Sequence, residues 1–241
     1  MTDRRKFLIA GSAGVVAASA TLGEASETKL DSGSVILFQG DSITDARRQK
    51  NDPQPNHAQS LGYGYPAHIS GGILREYADK GVVIHNRGIS GNKVPDLDAR
   101  WQEDCIDLKP DILSILIGVN DIWHMRAGRY DGTAEVYRDG FAALLKKTKE
   151  ALPGVSLVIC EPFVLKCGAV DDTWFPEFEI RRAFAEEVAE KEETIWVPFQ
   201  KKFDEAVAAG TPPEYWAPDG VHPSVAGHAL MAKTWREAVG I

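Results

Sequence analysis

Cysteines are scarce in this sequence, and metal-ligand motifs are missing from it. Its 241 residues include three cysteines, too few for a disulfide framework: Cys105, Cys160 and Cys167. Cys160 and Cys167 could form one bridge after export, but we expect all three cysteines to be small apolar residues of the core. The six histidines include no H-E-x-x-H pair and no other paired ligand spacing, so we expect no metal site.

The sequence also lacks an excess of positive charge. Its formal net charge is −8, and because residues 1–20 carry +2, the remainder carries −10. So acidic a chain is a poor candidate for binding nucleic acid or an anionic membrane surface. Neither G-x-G-x-x-G after a strand nor G-x-x-x-x-G-K-[ST] is present, which disfavours a non-enzymatic nucleotide-binding domain.

No apolar run is long enough for a convincing membrane span, and the N-terminal one fits a removable leader. Arg4-Arg5-Lys6 precedes a small-residue apolar stretch, and Ala18-Ser19-Ala20 fits a small-x-small cleavage site. We predict a twin-arginine signal peptide (1–20), an N-terminal extension of the mature chain (21–33) and one domain (34–241). The protein is then exported, periplasmic or extracellular, without stable membrane insertion after cleavage. An ordinary secretion signal and an uncleaved anchor stay open.

From Ser34 onward, short apolar runs alternate with longer amphipathic stretches. The runs predict five strands, at 35–38, 82–85, 112–117, 155–159 and 194–197. Helical patterns occupy 67–79, 95–105, 133–152, 176–193, 199–209 and 224–239. Continuously apolar strands separated by helices predict an α/β fold with three layers, α/β/α, around a flavodoxin-like parallel sheet of five strands. The active region of such a sheet lies outside the C-terminal ends of its strands.

The turn after the first predicted strand, Gly40-Asp41-Ser42, could present a serine nucleophile. A serine hydroxyl needs a base, and the base needs an orienting acid. Near the C-terminus, the three-residue spacing of Asp219 and His222 places both in one short loop. The plainer interpretation is that Asp41 or Ser42 caps a helix, that Asp219 starts a turn, and that Ser224 caps the last helix.

Acyl transfer also needs hydrogen-bond donors for the oxyanion. Two glycine-containing stretches, 86–92 and 118–121, follow the second and third predicted strands. Glycines in the first let a backbone N–H approach a substrate closely, and Asn120 in the second can offer its side-chain amide. Each stretch alone is an ordinary glycine turn, but with the serine turn they follow three successive strands of one sheet.

Four short blocks thus occur in order along the chain: Gly40-Asp41-Ser42, Gly91 within 86–92, Gly118-x-Asn120-Asp121 and Asp219-x-x-His222. In this order they resemble the blocks of the GDSL, or SGNH, hydrolases. The resemblance implies the SGNH hydrolase fold and an ester hydrolase with Ser42 as nucleophile, His222 as base and Asp219 as its orienting acid.

The same resemblance implies an oxyanion hole formed by the Ser42 N–H, the Gly91 N–H and the Asn120 side chain. Gly88, in the same block as Gly91, is the alternative candidate for the glycine N–H donor. No glycine stands two residues after Ser42, so the G-x-S-x-G nucleophile elbow of the α/β-hydrolase fold is absent.

The substrate is indicated by a narrower likeness. Five stretches resemble bacterial acetyl xylan esterases of this family: 86–92, 96–101, 109–111, 118–123 and 221–228. This implies a cofactor-free acetylesterase whose partner is a small-molecule or oligosaccharide ester, most specifically acetylated xylan or xylo-oligosaccharides. The competing hypothesis is a lysophospholipase or thioesterase with the same triad. The loop at 45–61 is mostly polar, which favours the sugar ester over an apolar acyl groove.

Aromatic side chains near the predicted site could stack on sugar rings. The candidates are Tyr65, Trp123 and Trp216, the tryptophans being placed in loops, with Tyr63 as a further possibility. Packing in the core or in a lid is the alternative for the tryptophans. His124 could approach the site, Glu161 could line a pocket or be structural, and His228 is expected to pack on the last helix. The sequence does not indicate the oligomeric state.

Overall fold

Five parallel strands form one sheet in a computed structural model, which describes residues 28–51 and 53–241. They are β1 (Val35–Gly40), β2 (Val83–Asn86), β3 (Ile112–Leu116), β4 (Ser156–Cys160) and β5 (Ile195–Val197), in the spatial order β2-β1-β3-β4-β5. This order confirms the predicted flavodoxin-like sheet. The predicted signal peptide (1–20) and residues 21–27 of the predicted extension lie outside the described residues.

Helices follow the strands and cover the sheet. They are α1 (Ser42–Asp45), α2 (Ala58–Leu61), α3 (Tyr65–Glu76), α4 (Val94–Ala99), α5 (Trp101–Asp104), α6 (Val119–Arg126), α7 (Ala134–Ala151), α8 (Glu177–Lys191), α9 (Phe199–Ala208), α10 (Pro213–Trp216) and α11 (Val225–Val239). Within the described part of the chain, no helix has the length and apolar character needed to cross a membrane.

Alternation along the strands explains the three layers. Phe38 of β1 belongs to a core cluster that contains Trp235 of α11, and the two rings are 5.4 Å apart. Its neighbour Leu37 faces the opposite side and packs in a second cluster with Phe141 of α7. Because both faces of each central strand are buried, the strands read as continuous apolar runs rather than as alternating ones.

Two local predictions differ from the structure. The single helix expected at 95–105 is divided at Arg100, whose side chain bonds both the Asn92 side chain and the Asp104 carboxylate, each at 2.9 Å. The tryptophans expected in loops lie in helices, Trp123 in α6 and Trp216 at the end of α10. The three cysteines are buried free thiols, as expected of core residues.

Candidate active site

The serine turn is shaped by the close approach of β1 and β3. Gly40 ends β1 with φ +154°, and a Cβ there would come within 2.3 Å of the Leu116 carbonyl oxygen, so only glycine fits. Asp41 caps α1, since its Oδ1 accepts a hydrogen bond from the Ile43 N–H at 3.0 Å. Burial raises the pKa of Asp41 to about 7. Ser42 therefore stands at the C-terminal edge of the sheet, half-buried at the wall of a cleft.

The loop between α10 and α11 brings Asp219 and His222 to this serine. The His222 Nε2 is 2.9 Å from the Ser42 Oγ, and the His222 Nδ1 is 2.7 Å from the Asp219 Oδ2. The other carboxylate oxygen accepts the N–H groups of Val221 and His222 at 2.9 and 2.7 Å. Burial alone would raise the pKa of Asp219, but the hydrogen bonds from His222 and the backbone outweigh it and lower that pKa. The carboxylate thus stays ionised beside the imidazole.

Gly91 and Asn120 follow β2 and β3, the two strands that flank β1. The Asn120 amide nitrogen donates to the Asn92 carbonyl at 3.2 Å, which joins the start of α6 to the loop after β2. Gly91 has φ +84°, and only the His124 ring would lie within 4 Å of a Cβ placed there. Gly88, in contrast, is pressed against the serine turn, where a Cβ would be 2.4 Å from the Asp45 nitrogen. This difference in free space favours Gly91 over Gly88 as a donor to a substrate.

A buried carboxylate that the sequence interpretation missed holds this loop in place. Asp45 accepts hydrogen bonds from the Ser90 N–H at 2.9 Å and from the Ser90 hydroxyl at 2.8 Å, next to Gly91. Lys50 pairs with the same carboxylate at 2.7 Å. Burial would raise the pKa of Asp45, but the bonds from Lys50 and Ser90 outweigh it and lower that pKa. The available signal in the sequence was an acidic residue three positions after Ser42.

The cleft in front of Ser42 has a volume of about 650 Å³. Besides Ser42 it is lined by Ile43, Ala46, Arg47, Tyr63, Ser90, Asp219, His222, Pro223, Val225 and His228. The His228 Nδ1 accepts the Tyr65 N–H at 3.1 Å, and burial lowers the pKa of His228 to about 4. His228 is therefore a neutral wall residue on α11, packed on that helix as expected.

The predicted substrate-binding aromatics have different positions. The prediction for Tyr65 is wrong: its side chain has no exposed surface, because it begins α3 facing the core and its hydroxyl bonds the Thr44 hydroxyl at 3.1 Å. Trp216 packs against Phe203 and is not among the residues described around the cleft. Trp123 is half-buried, with its ring centroid 5.9 Å from that of His222. It is the one of the three whose ring packs beside His222, and like Trp216 it is not among the residues described around the cleft.

Two further candidates are also placed. His124 lies beside Gly91, and its pKa is lowered by partial burial and by the nearby Lys93 and Arg129. Glu161 is buried at the end of β4, where it pairs with Arg182 at 3.0 Å and takes the structural role. Among the residues that the structure describes, no group of three or more His, Cys, Asp or Glu side chains is arranged to hold a metal ion.

The arrangement provides the parts of an acyl-transfer site: a hydroxyl, an imidazole on it, a carboxylate behind the imidazole, and donors on either side. The sequence matches the GDSL-like lipase/acylhydrolase family over residues 38–230. An acetylxylan esterase from Geobacillus stearothermophilus is 35% identical over 216 residues, which cover 88% of this chain and 96% of that protein.

Comparison with solved structures gives the same family. One described as a GDSL-like lipase, from Parabacteroides merdae, superposes with a TM-score of 0.85 at 47% identity, covering 88% of this chain and 98% of that one. The structure of the Geobacillus stearothermophilus acetylxylan esterase superposes with a TM-score of 0.78 at 34% identity, covering 89% and 97% of the two chains. The similarity therefore extends through the whole sheet and both helical layers.

Proposed function

Because this chain belongs to the GDSL-like lipase/acylhydrolase family and is a carboxylic ester hydrolase, we propose that it removes acetyl groups from xylan or xylo-oligosaccharides through an acetyl-enzyme on Ser42. The observation that carries the mechanism is the pair of short contacts from His222 to Ser42 and to Asp219. The 35% identity to an acetylxylan esterase supports the choice of acyl group and sugar.

In the proposed reaction the Ser42 oxygen attacks the acetyl carbonyl while the His222 Nε2 takes the hydroxyl proton. The carbonyl oxygen becomes an oxyanion, which the N–H groups of Ser42 and Gly91 and the Asn120 amide stabilise. Collapse of this intermediate breaks the bond to the sugar oxygen, and His222 returns the proton to that oxygen. Water then attacks the acetyl-enzyme with His222 again as base, releasing acetate and restoring Ser42. Asp219 keeps the imidazole in the tautomer that these transfers need.

The competing function is hydrolysis of a lipid ester or thioester by the same residues. A lipid acyl chain needs a continuous apolar groove, whereas this cleft places Arg47, Ser90 and His228 among its apolar residues. The test is to supply acetylated xylo-oligosaccharides and, separately, lysophosphatidylcholine, and to measure released acetate and fatty acid. Acetate release that disappears in Ser42→Ala supports the proposal; fatty acid release at a higher kcat/KM overturns it in favour of the lipid hydrolase.

Export by the twin-arginine route is a further part of the proposal, supported by Arg4 and Arg5 before the apolar stretch. The test is to compare the export of the full chain with that of an Arg4→Lys, Arg5→Lys variant in cells that have this pathway. Equal export of both proteins would point to another route.

A further inference from the structure

Arg47 is the cation of the cleft. It is exposed, and it is the only lysine or arginine among the residues described as lining the cleft. Its guanidinium forms no ion pair and no side-chain hydrogen bond with any residue that the structure describes. The next residue, Arg48, behaves oppositely: it is 6% exposed and donates to the Gly88 carbonyl at 2.7 Å. Of two neighbouring arginines, one is structural and the other is left facing the cleft.

The backbone at Arg47 is one that favours glycine. Ala46 and Arg47 have φ of +39° and +60°, so two successive residues with side chains adopt the left-handed conformation directly after the helix that bears Ser42. An arginine in this backbone conformation makes the folded protein less stable than a glycine would. Strained positions of this kind concentrate at functional sites, where the side chain or its direction is needed.

The chain on both sides of Arg47 is anchored. The Ala46 N–H donates to the Ser42 carbonyl at 2.9 Å, and the Ala46 carbonyl accepts the Tyr63 N–H at 3.0 Å. The Arg48 N–H donates to the Asp45 carbonyl at 2.8 Å, and its guanidinium is buried. The Cα of Arg47 is therefore fixed relative to Ser42, and only its flexible side chain adapts to a substrate.

The charges around the cleft indicate what this side chain binds. The acidic residue that lines the cleft, Asp219, is engaged by His222 at 2.7 Å, so it does not neutralise Arg47. The chain as a whole has a net charge of −8 and repels densely charged polyanions. That repulsion is largely screened beyond about 8 Å at physiological ionic strength, whereas a direct contact between a guanidinium and a carboxylate is screened much less. A sugar chain that is neutral except for a single carboxylate is not a densely charged polyanion, and it can still form the direct contact with Arg47.

On the function proposed above, we propose that the preferred substrates are acetylated xylo-oligosaccharides that carry a uronic acid, and that Arg47 binds the uronic acid carboxylate. The guanidinium is planar and can donate two parallel hydrogen bonds to a carboxylate, which fixes the sugar as well as attracting it. The acetyl ester is then presented to Ser42 from the side of the cleft that Arg47 and Tyr63 form.

The test measures acetate release from two partially acetylated xylo-oligosaccharides of equal length, one neutral and one with a glucuronic acid branch. The readout is the ratio of their kcat/KM values in the wild type, in Arg47→Gly and in Arg47→Lys. Arg47→Gly suits the left-handed backbone, so it should fold. Lys146→Met is the control, because it removes the same charge from an exposed residue of α7 that does not line the cleft.

The wild type should prefer the acidic oligosaccharide by about two- to fivefold, mainly through KM, as expected for one charge-assisted pair at an exposed site. Arg47→Gly should bring the ratio close to one, Arg47→Lys should fall between, and Lys146→Met should keep the wild-type ratio. Hydrolysis of both sugars with the same ratio in the wild type and Arg47→Gly overturns this inference alone. Hydrolysis of 4-nitrophenyl acetate without acetate release from either sugar overturns the proposed function, and this inference with it.

Discussion

The Nε2 atom of His222 lies 2.9 Å from the Ser42 hydroxyl oxygen, although 180 positions separate the two residues. The contact exists because β1 is an interior strand, flanked by β2 and β3, and the loop before α11 returns to the edge where β1 ends. Parallel strands place all their C-terminal ends on one side, so residues far apart in sequence meet there. The site is thus a product of the topology, and small changes within it should act on chemistry rather than on folding.

Ser42→Ala should abolish ester hydrolysis and leave the fold intact. The substitution removes one half-buried oxygen that stands at the wall of the cleft, so no core contact is lost. Initial rates with 4-nitrophenyl acetate measure the activity, and the free energy of unfolding in urea measures the fold. An active Ser42→Ala protein would remove the serine from the mechanism.

Asn120→Ala should lower kcat about 10²–10³-fold, as expected when one oxyanion donor is removed. KM should change much less, because the amide interacts most strongly with the developing charge. Asn51→Ala is the matched control, since it removes the same side chain from an exposed turn. A loss in kcat below tenfold for Asn120→Ala would assign the donor role to another group.

Asp41→Asn should remove a pH dependence of stability. Burial raises the pKa of Asp41 to about 7 from its ordinary value of 3.8, so the unfolded chain loses this proton at lower pH than the folded chain. The contribution of Asp41 to stability is therefore lost as pH rises from about 4 to 7, and it is constant above that. Between pH 5 and pH 8 the wild type should lose roughly 2–3 kcal/mol more free energy of unfolding than Asp41→Asn does.

Urea unfolding of both proteins at the two pH values measures this difference. Groups that do not interact with Asp41 are common to both proteins and cancel in the comparison. Equal losses in the wild type and the variant would show that Asp41 is already ionised in the folded protein at pH 5, which contradicts the raised pKa.

Tyr65→Phe should lower stability by about 1–2 kcal/mol and leave KM for the ester unchanged. The variant leaves the buried Thr44 hydroxyl without its partner at 3.1 Å but keeps the ring packed against Phe38 and Phe199. Urea unfolding and the KM for an acetyl ester are the two measurements. A raised KM with unchanged stability would return Tyr65 to the substrate.

The sheet was predictable because buried parallel strands leave an unmistakable apolar pattern, as at 35–38 and 112–117. The site residues were predictable as types and as an order, since the serine, the amide and the histidine all follow strands or precede a helix. The plainer interpretations hold as well: Asp41 caps α1 and Ser224 caps α11, with its Oγ accepting the Gly227 N–H at 3.2 Å. Capping therefore does not argue against a catalytic loop.

The sequence pattern was insufficient wherever the direction of a side chain decided its role. Gly62-Tyr63-Gly64-Tyr65 contains two tyrosines two positions apart, and nothing in their spacing says that α3 begins at the second one and turns it inward. Tyr63 is 75% exposed at the cleft, whereas Tyr65 is fully buried. The left-handed backbone of Arg47 could not be predicted either, because neither alanine nor arginine is a residue type that commonly adopts that conformation.

The central claim is an acetyl-specific esterase acting through Ser42, and one comparison tests it most directly. Initial rates are measured for 4-nitrophenyl acetate and 4-nitrophenyl octanoate, with Ser42→Ala as the blank for each ester. We predict a kcat/KM for the acetate at least about tenfold above that for the octanoate. A pocket that fits an acetyl group has no room for the additional methylene groups of the octanoyl chain, and each group that does not fit lowers kcat/KM several-fold. Octanoate hydrolysed as fast as acetate or faster, and lost in Ser42→Ala, would contradict the acetyl preference and place the lipid hydrolase first.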